Sequence, residues 1–71
     1  MSVFSAVIIP DTDGGYVSQN PETGTTSQGE TIDEALSNLK EATELYLAEF
    51  PRPNSGRSLM TTFEIGDAKA S

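Results

Sequence analysis

Residues 31–50, TIDEALSNLKEATELYLAEF, repeat apolar side chains at helical spacing over more than a quarter of the chain. Ile32, Ala35, Leu36, Leu39, Ala42, Tyr46 and Phe50 fall on one stripe, with Thr43 and Leu47 at its margins. At about 100° per residue the stripe takes up a little under half the circumference. Thr31-Ile32-Asp33-Glu34 has the form of a capping box. Thr31 is expected to accept from the Glu34 N–H while the Glu34 carboxylate reaches back to the N–H of Thr31. Pro51 disfavours a helical Phe50 and stops the helix there. A stripe this wide has to be buried, and in a 71-residue chain only short segments remain to cover it.

Those segments read as strands. Val3 to Ile9, VFSAVII, is rich in β-branched and aromatic residues. Both of its faces are largely apolar, which places it inside the sheet and not at an edge. Pro10 to Gly15, PDTDGG, is a turn built from fixed φ, side-chain-to-backbone bonds and glycine. Tyr16 to Gln19 completes a hairpin, and Thr25 to Gln28 forms a third strand after the break at Asn20-Pro21-Glu22-Thr23-Gly24. Pro51 to Arg57 is a connector. Leu59 to Ile65 alternates Leu59, Thr61, Phe63 and Ile65 on one face with Met60, Thr62 and Glu64 on the other, the pattern of a last strand. Residues 66–71 read as a frayed tail. The expected fold is α+β, in the order β-β-β-α-β, with one helix packed on a small, mainly antiparallel sheet in a single domain, 1–71. The last strand is expected beside the first.

Composition narrows what such a domain can do. There is no cysteine and no histidine, so disulfides, Ser-His-Asp sites and Cys-His sites are excluded, and only carboxylates remain as metal ligands. A chain this small buries a limited fraction of its surface, so association with a second copy or an obligate partner is expected. Eleven acidic residues against four basic ones give a net charge of -7, which opposes direct nucleic-acid binding. The same charge favours solubility and fast association with a basic partner. No apolar run approaches the ~20 residues that span a bilayer, and the N-terminus lacks the positive region of a signal peptide. A cytoplasmic location is the expectation.

Candidate functional residues are acidic. Asp11 and Asp13 lie in the first turn and Glu22 in the second. Clustered carboxylates can hold magnesium, although Pro-Asp and Asp-Gly are also ordinary turn residues, and no group offers to activate a nucleophile. The glycines form no phosphate loop. On the helix, Asp33, Glu34, Ser37, Lys40, Glu41, Glu44 and Ala48 lie opposite the stripe, with Lys40 the one base. Asp33 and Glu34 suit the helix dipole; Glu41, Glu44 and Glu49, in the later half, do not. Leu45 lies outside the stripe beside this acidic face. The face reads either as a solvated surface or as a docking surface for a basic partner.

Three stretches, GYVSQNPE (15–22), SQGETIDEAL (27–36) and NLKEATELYL (38–47), resemble the HicB family of antitoxins in order and spacing. The family pattern has a D-G-Y-type turn, a Pro-Glu pair and SQGDT-x-EEAL-x-N-x-x-EA-x-x-LYLE. Here Ser27-Gln28-Gly29-Glu30-Thr31, Glu34-Ala35-Leu36, Asn38, Glu41-Ala42 and Leu45-Tyr46-Leu47 stand at those positions. Between Pro21 and Ser27 this chain has Glu-Thr-Gly-Thr-Thr where many members have a Leu-Pro-Gly-Cys-type segment. The resemblance implies a partly degraded ribonuclease H-like fold without catalysis or cofactor. It also implies a partner, a small basic HicA-type toxin that cleaves messenger RNA and is masked by the antitoxin. Many members add a C-terminal DNA-binding segment. None is visible here, so the match is to a short HicB-like domain without it.

The reading that follows is a non-enzymatic antitoxin, with Asp11, Asp13, Glu22, Glu41, Glu44, Leu45 and Glu49 as candidate partner-binding residues. The alternatives are an orphan oligomeric or regulatory module with no toxin, and a residual magnesium-dependent nuclease.

Overall fold

The computed structural model describes residues 3–51 and 58–66. Three short strands, β1 (Val7–Pro10), β2 (Tyr16–Gln19) and β3 (Thr26–Gly29), precede one helix, α1 (Ile32–Glu49). The strands form an antiparallel sheet in the order β1-β2-β3. Val7 pairs with Gln19 and Pro10 with Tyr16; Tyr16 in turn pairs with Gly29 and Gln19 with Thr26. The β1–β2 turn closes through Asp11 N–H to Gly15 O and Gly14 N–H to Asp11 O, with Gly14 and Gly15 both at positive φ. Proline at the end of β1 costs the ladder little, because a strand end tolerates a missing donor.

The helix begins and ends where local chemistry dictates. Thr31 is extended and its hydroxyl accepts from the Glu34 N–H at 3.0 Å. The Glu34 carboxylate accepts from the N–H of Glu30, one residue earlier than the expected Thr31. The box is therefore stretched across the Gly29-Glu30 corner that joins β3 to α1. At the other end the Phe50 N–H donates to Tyr46 O, and the Tyr46 and Phe50 rings lie 4.9 Å apart, tilted by 35°, before Pro51.

Packing of α1 on the sheet relies on small residues. Ser18 on β2 is fully buried and its hydroxyl donates to Ala35 O at 2.9 Å. A Cβ on Gly29 would meet the backbone of Glu34 and Ala35, so β3 and the first turns of α1 approach as closely as glycine allows. At the far end of the sheet the Thr25 and Thr43 hydroxyls share a 2.8 Å hydrogen bond. The apolar centre of the interface is Ala35 and Leu39. The stripe read from the sequence is present, but only its midline is covered: Ile32, Leu36 and Phe50 remain about half exposed. A sheet of three strands is too narrow for it.

Two sequence expectations are corrected. Leu59 to Ile65 forms no strand; it has no ladder partner and its large apolar side chains are exposed. Consequently β1 is an edge strand and not an interior one, and the described order is β-β-β-α. Residues 3–6, part of the expected first strand, lie outside β1: β2 turns away at Asn20, and the Ser5 backbone bonds the Glu22 and Asn20 side chains in place of a ladder. The connector residues 52–57 and tail residues 67–71 lie outside the described residues. No helix among the described residues is long and apolar enough to cross a membrane.

Candidate functional site

The seven candidate residues occupy four places. Asp11 and Asp13 are exposed at the β1–β2 turn. The Asp11 carboxylate accepts from the Asp13 N–H at 3.2 Å, which shapes the turn. Asp11 also borders a polar hollow with Tyr16, Gln28, Glu30, Glu34 and Asn38, near the N-terminus of α1. Among the described residues no group of three or more His, Cys, Asp or Glu side chains is placed to hold a metal ion.

Glu22 stands apart from the rest, because it is only 6% exposed. One carboxylate oxygen accepts from the Ser5 N–H at 2.8 Å and from the Asn20 amide at 2.7 Å. The other accepts from the Ser58 N–H at 2.6 Å. Burial alone raises a carboxyl pKa, but these donors, with the Ser5 hydroxyl, outweigh it and hold Glu22 down to about 2. Its carboxylate is thus engaged in joining the chain start, the β2–β3 turn and the segment at Ser58. It contributes nothing to an exposed acidic surface.

Asn20 completes this junction. Its amide donates to Ser5 O and to Glu22, and its carbonyl oxygen accepts from the N–H and hydroxyl of Thr23. Its backbone bonds Thr25 O and Gly24 N–H, with Gly24 at positive φ. The sequence marked NPETG as a break; that its Asn and Glu turn inward depends on Ser5 and Ser58, far away in the chain. An Asn and a Glu flanking a proline before a Thr-Gly pair was the available signal, and it is shared by ordinary exposed turns.

The helix candidates divide between two flanks. Asn38 donates to Gln28 O, fixing its flank against the outer edge of β3. Glu41, Leu45 and Glu49 follow along that flank at helical spacing, all exposed, with Leu45 at 68%. Glu44 lies on the other flank, toward β1. There the uncovered helix margin and residues 4–6 bound an open groove of about 680 Å³, lined largely by apolar surface from Phe4, Ala6, Leu36, Leu39 and Leu47. Lys40, Asp33 and Glu44 sit along it. The sequence did not indicate this groove, because it opens beside the segment leading into β1, where the strand expected from Leu59 to Ile65 does not form.

Two surfaces therefore present themselves: an acidic flank around Leu45, and an apolar groove beside β1. Comparison with known proteins gives no matching protein-family model, no matching curated protein and no matching solved structure.

Proposed function

We propose that this protein is a non-catalytic antitoxin of the HicB type, which neutralises a small basic HicA-type messenger-RNA-cleaving toxin by covering its RNA-binding surface. The observation that carries the reading is the exposed flank of α1, where Glu41 and Glu49 sit one turn either side of the apolar Leu45. A surface that binds RNA phosphate is cationic, and an acidic rim around one apolar anchor is its complement. The HicB-like spacing of residues 15–47 supports the same reading. Asp11, Asp13 and Glu44 add to the field that steers a basic partner in; Glu22 supports the fold only. A partly degraded ribonuclease H-like architecture, a cytoplasmic location and the lack of enzymatic activity belong to the same proposal.

The test is co-expression with the product of the adjacent gene, followed by co-purification and growth rescue. Wild type is expected to co-purify and to restore growth, and Leu45→Asp is expected to lose both while keeping its helical circular dichroism. Rescue by Leu45→Asp at wild-type level overturns the assigned surface. An adjacent gene product that is neither basic nor toxic overturns the function. The second reading, an oligomeric module without a toxin, is favoured by a different observation, the groove beside β1.

A further inference from the structure

We infer that the groove beside β1 receives residues Leu59 to Ile65 of a second copy of this chain as a fourth strand, so that the protein is a strand-exchanged dimer. The inference is independent of the antitoxin reading.

Three observations carry it. First, the groove has the shape of a strand site. One wall is Phe4 to Ala6, the segment leading into β1, whose outer edge has no ladder partner among the described residues; the other wall is the helix margin at Leu36 and Leu47, with the buried Leu39 at the floor. A strand laid there would add ladder bonds to the edge and cover the apolar margin in one step. Second, the described residues contain one unpaired segment with the matching pattern. Leu59, Phe63 and Ile65 share a face by period-two alternation, and they are 89%, 84% and 68% exposed. Large apolar side chains exposed on a segment with no ladder partner among the described residues are a face that burial would stabilise. The segment's one charged residue, Glu64, is on the opposite face, so Leu59, Phe63 and Ile65 enter the groove without bringing an acid toward Asp33 and Glu44.

Third, the arm leaves from the right place. Ser58 is fastened to its own subunit by its N–H to Glu22 and by its carbonyl, which accepts from the Ser5 hydroxyl at 3.2 Å. Ser5 itself lines the groove. Each copy thus projects its arm from the mouth of its own groove, and the arm's seven residues reach about 23 Å when extended. A two-fold axis beside the two β1 edges lets each arm enter the other copy's groove. The contact is isologous and closed, so it ends at a dimer and leaves no free edge on that side to propagate.

The test measures mass and the location of the contact in the full chain. Sedimentation equilibrium is expected to give a species of twice 7.6 kDa at micromolar concentration. Phe63→Asp is expected to raise the dimer dissociation constant by at least a hundredfold. Because the chain has no cysteine, an equimolar mixture of Ala6→Cys and Thr61→Cys is expected to give a disulfide-linked pair at dimer mass. A wild type that stays monomeric to millimolar concentration overturns the proposal. So does a Phe63→Asp variant that dimerises as tightly as wild type. Should Phe63→Asp prove unfolded, Leu36→Asp on the groove wall takes its place with the same two outcomes. If Ala6→Cys/Thr61→Cys in one chain closes within a monomer, the arm occupies its own groove, and the exchange is refuted.

Discussion

Glu22 ties three separate parts of the chain together through one carboxylate. Its carboxylate takes the Ser5 N–H, the Asn20 amide and the Ser58 N–H, bonds that span 17, 2 and 36 residues of sequence. Its pKa in the fold, about 2, lies below the ordinary value of 4.5, so the charged form is what the folded state prefers. The stabilisation is fully present above pH 4.5 and fades as the pH falls toward 2. Glu22→Gln is therefore expected to lower stability by ~2 kcal/mol at neutral pH, and its deficit should shrink through that acid window. In a domain this size ~2 kcal/mol corresponds to a melting-temperature loss on the order of 10 °C. Thermal melts from pH 2 to pH 7 check it; a deficit that stays constant with pH would show that the charge is not what holds the junction. The sequence offered Glu22 as a surface acid because a turn glutamate is usually solvated. Nothing local distinguishes one whose donors arrive from residues 5 and 58.

For the elements, the decisive contact is between β3 and α1. Gly29 closes the strand and α1 begins three residues later, so strand and helix are forced together at the corner. A Cβ at Gly29 would lie 2.8 Å from the Glu34 carbonyl carbon and closer still to the Ala35 nitrogen, both backbone atoms that cannot rotate aside. Gly29→Ala is expected to displace the first helical turn and to cost about 1–3 kcal/mol. Chemical denaturation measures the loss, and unchanged stability would mean that the helix sits farther from β3. The helix itself was legible in advance, because its spacing, its Thr31 cap and its Pro51 stop are all encoded within a few residues of where they act. The strands were legible in outline for the same reason. The edge position of β1 was not: an apolar pattern on both faces of Val3 to Ile9 signals a strand with something on every side, without saying whether its own chain supplies it.

On the scale of the whole molecule, two associations are proposed, and they respond to salt in opposite directions. A subunit of charge -7 attracts a basic toxin and repels its own copy. Raising ionic strength from about 0.01 M to about 0.15 M shortens the screening length from roughly 30 Å to roughly 8 Å. Toxin association is then expected to slow several-fold, while the dimer of this chain is expected to tighten several-fold. Stopped-flow rates and sedimentation across that range separate the two surfaces. A toxin on-rate that is flat with salt removes the steering role of Glu41, Glu49 and the turn acids.

Sequence alone determined the helix, its cap and its stop, the β1–β2 hairpin and the acidity of the surface. Each follows from short-range periodicity, turn chemistry or charge count, which act on neighbours along the chain. Tertiary structure decided where Glu22 and Asn20 point, that the acids of α1 divide between two flanks, and that Leu59 to Ile65 finds no place on its own sheet. Those outcomes depend on which distant segments meet. A three-stranded sheet is narrower than the apolar stripe of α1, and that mismatch of widths can be read only once the strands and the helix are packed together.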